Sequence, residues 1–198
     1  MIHRIDMSLA PVIDWGHVYP ALEDTVRDQL SRYPRLLDRI QNSITFLLTT
    51  HRDHAFHGAL LRASLTELVS TEDVQRWLGL PAHHLNDSGS PLLSVSRELR
   101  NLELHLSSPT ITGENRDLLW GKAGDPENAR PVNWEITWID DLDISKFEEL
   151  RGFDKKYDRN QFKQALDWFD DVQRKWGIEE IVIRAIHEFA KELISRHC

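Results

Sequence analysis

Apolar residues recur at spacings of three and four along most of this chain, which is the periodicity of amphipathic helices. From Tyr19 to about Thr50 the spacing predicts helix, with Pro34 dividing the segment or starting a second helix. From about Arg52 to Val69 two stripes run together, Phe56–Leu60–Ala63 and Leu61–Leu65–Leu68, so this helix is expected to be apolar on two sides and central. "STEDVQRWLGL" reads as a separate short helix, capped by Ser70 or Thr71 and ended by Gly79. "PAHHLNDSGSP" at 81–91 is a loop. Residues 92–106 return to helix, with Val95, Leu99, Leu102 and Leu106 on one core stripe. Pro, Gly, Asn and Thr then crowd 107–133, which predicts a long irregular connection, while "VNWEITWID" at 132–140 alternates as a strand or hairpin arm does. "DISKFEELRG" carries a capping box, Ser145 with Glu148, and a stop at Gly152. Two long amphipathic helices close the chain, from about Arg159 to Lys175 and from about Ile178 to Arg196. The expected architecture is one all-α helical bundle over 1–198, with a small irregular or β-hairpin insertion at about 107–142 and two C-terminal helices.

Composition narrows the class. With 198 residues, 40% apolar and seven of them Trp, the chain can bury a sizeable core and does not read as disordered. Its 24 basic and 32 acidic residues give a net charge of -8, so any nucleic-acid site must come from locally clustered Arg. The one cysteine, Cys198, excludes an intrachain disulfide and a cysteine zinc site. The start of the sequence lacks the apolar core and cleavage pattern of a secretion signal, and no apolar run reaches membrane-spanning length. A cytoplasmic protein with no membrane association is expected.

Candidate chemistry concentrates in "RELRNLELHL", residues 97–106. On a helix, Arg97, Asn101 and His105 share a polar flank of the core stripe, and Arg100 points further round. Leu104 lies almost opposite the stripe, where a second chain would cover it. The spacing Arg-x4-His occurs twice, in "RNLELH" at 100–105 and "RDHAFH" at 52–57, and chance alone supplies about one such pair. Glu67 is an acid on an apolar face, so it needs a partner. Arg62 and Arg100 are the expected ones, either fixing Arg100 or forming a structural salt bridge. His54 and His57 are spaced to share a metal but lack a third ligand, so they read as a solvated helix start; His83 and His84 read as loop residues. Trp134 and Trp138, with Trp120 nearby, either anchor the insertion or stack on bases. "WIDDLDISKFEE" is too acidic to face RNA and suits a basic partner.

Over residues 55–107 the chain resembles the HEPN superfamily, whose signature is an Arg, a polar residue, and a His four positions after that polar residue. "RNLELHL" carries that signature, and "ALLRASLTELVSTED" at 59–73 is similar to the long helix that precedes it in bacterial members. The resemblance implies a helical bundle that dimerises, with two Arg–His sites facing each other. It also implies a metal-independent endoribonuclease acting as a toxin or phage-defence effector, with RNA as substrate and an antitoxin or immunity protein as a possible partner. Some members are instead non-catalytic binding modules, so both readings stay open. The chemistry suits the residue types. A neutral His can take the 2′-hydroxyl proton, a protonated one can supply the leaving 5′ oxygen, and Arg can hold phosphate oxygens through parallel donors. The candidate catalytic residues are Arg100, Asn101 and His105, supported by Glu67, Arg62 and Arg97, with no metal and no cofactor expected.

Overall fold

A computed structural model describes residues 2–13, 21–50, 57–105, 110–120 and 130–197, with side chains for all of these except 50, 103–105 and 118–120. Pro34 stands at the first position of α2 (Pro34–Thr50), where its missing N–H costs nothing, and so separates α2 from α1 (Asp24–Leu30). α2 pairs antiparallel with α3 (His57–Trp77): Ser43 meets Ser64 and Arg39 meets Glu67. The hydroxyls of Ser43 and Ser64 lie 3.0 Å apart, a close approach that two small side chains permit.

α3 runs unbroken through the position expected to start a new helix. Neither Ser70 nor Thr71 caps; their hydroxyls donate back to the carbonyls of Glu67 and Leu68, at 2.7 and 2.6 Å, and the helix continues past them. It ends where Gly79 takes φ +73° and the N–H groups of Gly79 and Leu80 close onto Arg76 and Gln75.

The centre belongs to α4 (Pro91–His105) rather than to α3. Leu92, Leu93, Val95 and Leu99 have no exposed surface, and neither do Ser94, Ser96 and Glu98 on its other sides. On α3 the Leu61–Leu65–Leu68 stripe is buried, but Leu60, Ala63 and Glu67 are only half-buried. α4 sits against α3 on one side and against α7 (Arg159–Trp176) and α8 (Ile178–His197) on others. The apolar faces of both terminal helices, including Phe162, Leu166, Phe169, Val182, Ile186, Phe189 and Leu193, complete this core. Leu106 of the expected core stripe lies outside the described residues.

β1 (Ile111–Trp120) pairs antiparallel with β2 (Arg130–Ile139), in a register from Ile111 opposite Ile139 to Trp120 opposite Arg130. β1 falls inside the stretch expected to be irregular. Its middle is polar and exposed, so the strand is held by backbone pairing and leaves little apolar pattern. The buried end of β2, Ile136, Thr137 and Ile139, packs on α7 and α8. There the Gln173 amide both accepts from Ile139 N–H (3.0 Å) and donates to its carbonyl (2.8 Å), as a neighbouring strand would. The expected Ser145–Glu148 box is replaced by Asp143, whose carboxylate accepts from Ser145 N–H at the start of α5 (Ile144–Glu148). Gly152, at φ +75°, turns the chain into α6 (Phe153–Lys156). The protein is thus all-α with one small β-hairpin, and no helix among the described residues is long and apolar enough to cross a membrane.

Candidate functional site

α4 puts four polar side chains in sequence on its buried flanks: Arg97, Glu98, Arg100 and Asn101. Arg97 Nε and Nη2 donate to Glu72 of α3, at 3.0 and 3.2 Å. The Glu72 carboxylate also accepts from His84 Nδ1 (2.8 Å) and the Leu85 N–H (3.1 Å). Burial opposes charge on Glu72, yet the hydrogen bonds and charge of Arg97 outweigh it and hold the carboxyl below its usual range. Desolvation likewise opposes the Arg97 charge, and Glu72 more than restores it. Arg97 therefore neutralises a buried acid at the α3–α4 contact.

Glu98 has no exposed surface. Its Oε1 accepts from Tyr157 Oη at 3.1 Å and lies 3.4 Å from Arg97 Nη1 and 3.5 Å from Lys156 Nζ. Its Oε2 accepts from Asn101 Nδ2 at 2.9 Å. Burial, with the Glu98 charge beside it, pushes the Tyr157 phenol well above its ordinary range, so the phenol stays a donor. Asn101 Oδ1 in turn accepts from Arg100 Nη1 at 3.2 Å. Arg100 is half-buried, its Nε has no acceptor, and no carboxylate pairs with it among the described residues. His105 is the last residue of α4; its side chain and those of Glu103 and Leu104 lie outside the described ones.

The supporting residues divide. Glu67 pairs with neither Arg62 nor Arg100: both of its oxygens accept from Arg39 Nη1 at 2.9 Å. The antiparallel α2–α3 contact sets Arg39 opposite it, 28 residues away in sequence, whereas Arg62 is half-buried elsewhere on α3. Glu72, missed in the sequence, is the acid that reaches α4. In the sequence Glu72 falls in the stretch read as a separate short helix, which hides that it shares α3 with Glu67.

Two histidines are buried where exposure was expected. His57, at the start of α3, pairs with Glu179 of α8, which also accepts from the Thr137 hydroxyl at 2.7 Å. Burial disfavours the Glu179 charge, but His57 and Thr137 hold its carboxyl low. His83 is 2% exposed, lies 2.6 Å from Glu192 and stacks on Phe189. His51, Arg52, Asp53 and His54 lie outside the described residues, and no group of three metal-ligating side chains occurs among the described ones. Trp138 donates to Asp140, two residues along, at 2.9 Å and lies 5.9 Å beneath Arg174 of α7, the latter a tie between the hairpin and the bundle; the side chain of Trp120 is outside the described ones.

Taken together, the end of α4 presents a cation with only a neutral amide as described partner, beside an Asn fixed from below by a buried carboxylate. Such an arrangement can hold an anionic oxygen. Comparison with protein-family models, with curated proteins and with solved structures finds no match to this chain.

Proposed function

We propose that this chain is a metal-independent endoribonuclease of the HEPN type, a cytoplasmic toxin or phage-defence effector whose site is Arg100, Asn101 and His105. The observation that carries the reading is the state of Arg100. Its guanidinium meets an amide oxygen rather than a carboxylate among the described residues, so its full charge is available to a phosphate. Arg100 stands five positions before the histidine that ends the same helix. In this reading a neutral His105 removes the 2′-hydroxyl proton, and the oxygen attacks the adjacent phosphorus. Arg100 holds the charge that builds on the phosphorane oxygens, and a protonated His105 of a second copy gives its proton to the departing 5′ oxygen. The products are a 2′,3′-cyclic phosphate and a 5′-hydroxyl. A homodimer completes the acid–base pair, and an antitoxin or immunity protein is the partner such an activity calls for.

A second reading, a non-catalytic module that binds a protein partner, has its own support: Arg97 is engaged by Glu72, which removes one cation from the cluster an RNA site needs. One experiment separates the two. Purified protein is incubated with mixed tRNA and rRNA in EDTA beside a His105→Ala control. Cleavage by the wild type alone, leaving cyclic phosphate ends, is expected. Cleavage that EDTA stops, or that His105→Ala retains, overturns the ribonuclease reading.

A further inference from the structure

We infer that Glu98 is a positioning residue for Arg100 and acts through the amide of Asn101. The inference rests on the reading of α4 as an RNA-cleaving helix. An Asn amide can sit either way round, but its neighbours here remove the choice. The Glu98 carboxylate can only accept and the Arg100 guanidinium can only donate. Asn101 must therefore turn Nδ2 to Glu98 Oε2 (2.9 Å) and Oδ1 to Arg100 Nη1 (3.2 Å). Reversed, it would set donor against donor and oxygen against oxygen.

The far side of Glu98 is fixed as firmly. Its Oε1 faces three donors on other residues, Tyr157 Oη, Arg97 Nη1 and Lys156 Nζ, so the carboxylate has no freedom to swing away. The buried negative charge is compensated by Arg97 and Lys156 rather than by Arg100. This division has a consequence for phosphate binding. A carboxylate in direct contact with Arg100 would orient it but cancel its charge. A neutral amide placed between them transmits the orientation and leaves the charge intact. The single described hydrogen bond of Arg100 is the one that Glu98 sets up.

The test uses Glu98→Gln, Asn101→Asp and the double variant, each compared with the wild type. In Glu98→Gln the amide oxygen stays with the three donors, so its NH2 confronts Asn101 Nδ2 and the relay breaks. In the double variant the new amide at position 98 donates to the new carboxylate at position 101, which still accepts from Arg100. The relay re-forms with its first hydrogen bond reversed, although the new carboxylate partly neutralises Arg100. We expect kcat for RNA cleavage to fall at least about tenfold in Glu98→Gln with KM changed by less than about threefold, as displacement of a transition-state group produces. The double variant is expected to regain part of kcat at a raised KM. An unchanged kcat in folded Glu98→Gln, or no recovery in the folded double variant, overturns the inference, because a merely structural tie would alter melting temperature alone. A second measurement needs no activity, and of the variants only a folded Asn101→Asp. In the nitrogen-15 spectrum of the wild type, the Asn101 side-chain amide, assigned as the pair missing from Asn101→Asp, should exchange its protons at least about tenfold more slowly than a free amide. Exchange at the free rate overturns the positioning role even if RNA is cleaved. Slow exchange in a protein that cleaves no RNA leaves the geometry standing and removes the ribonuclease reading.

Discussion

Glu72 and Arg97 show at the scale of single residues how much a buried pair is worth and in which direction pH moves it. Removing Arg97 leaves a 4% exposed carboxylate facing only His84 and one backbone N–H. Arg97→Ala should therefore cost about 3–5 kcal/mol in denaturant unfolding, the usual penalty for stranding a buried charge. A loss below about 1 kcal/mol would mean that water reaches Glu72. Because the folded carboxyl of Glu72 titrates below the unfolded value of 4.5, its contribution is present above that value and is lost as pH falls through the folded one. Glu188 behaves oppositely. Burial first, with the nearby charge of Glu192, raises its carboxyl above 4.5 despite a hydrogen bond from Ser90. Its neutral form favours the fold, and that contribution disappears as pH rises through the raised value. Glu188→Gln should accordingly raise the melting temperature at pH 7 and change it little near pH 4; the reverse order would contradict the assignment. Little of this residue-scale chemistry was legible in the sequence. "RELRN" reads as a helical stretch with polar flanks, and nothing local tells Glu98 that Tyr157 and Lys156 will close over it.

At the scale of elements, the joint between the hairpin and the last two helices is the most constrained point. Gly177 separates α7 from α8 at φ 97° and ψ 149°, a region that essentially only glycine occupies. A Cβ there would also lie 3.4 Å from Glu179 Oε2. Gly177→Ala should cost about 1–3 kcal/mol by thermal or denaturant unfolding; a neutral substitution would show that the backbone can relax. The same Glu179 binds His57 and Thr137, so three elements meet on one carboxylate. Which elements could be read from sequence follows from what holds each one. α7 and α8 were predicted nearly to the residue because each buries one continuous apolar face. The split placed in α3 was an error because a Ser or Thr signals a cap only if its hydroxyl is free; here the hydroxyls of Ser70 and Thr71 serve carbonyls one turn back. β1 was missed because "TGENRD" forms its ladder through backbone atoms, which carry no side-chain signature. The prediction of α3 as the central helix failed because apolar stripes report how much a helix buries, whereas centrality depends on how many neighbours cover it.

For the whole molecule the net charge of -8 opposes both associations the proposed function requires, but added salt acts on the two with opposite sign. Two copies of an acidic chain repel each other at long range, so added salt should strengthen dimerisation by screening. The Arg100 face must meet RNA through a few local cations, and those contacts weaken as salt rises because counterions compete for the phosphates. Wild-type cleavage measured at low protein concentration should therefore pass through a maximum as salt increases, first gaining dimer and then losing RNA. Covalent linkage of two copies should abolish the rising limb and keep the falling one. Leu104, opposite the core stripe of α4 in the helical pattern, is the residue whose replacement by Glu should shift light scattering toward monomer and remove the activity that linkage restores. Activity that declines with salt from the lowest concentration, with light scattering showing a monomer throughout, would place both proton-transfer groups in one chain and retire the paired His105 mechanism.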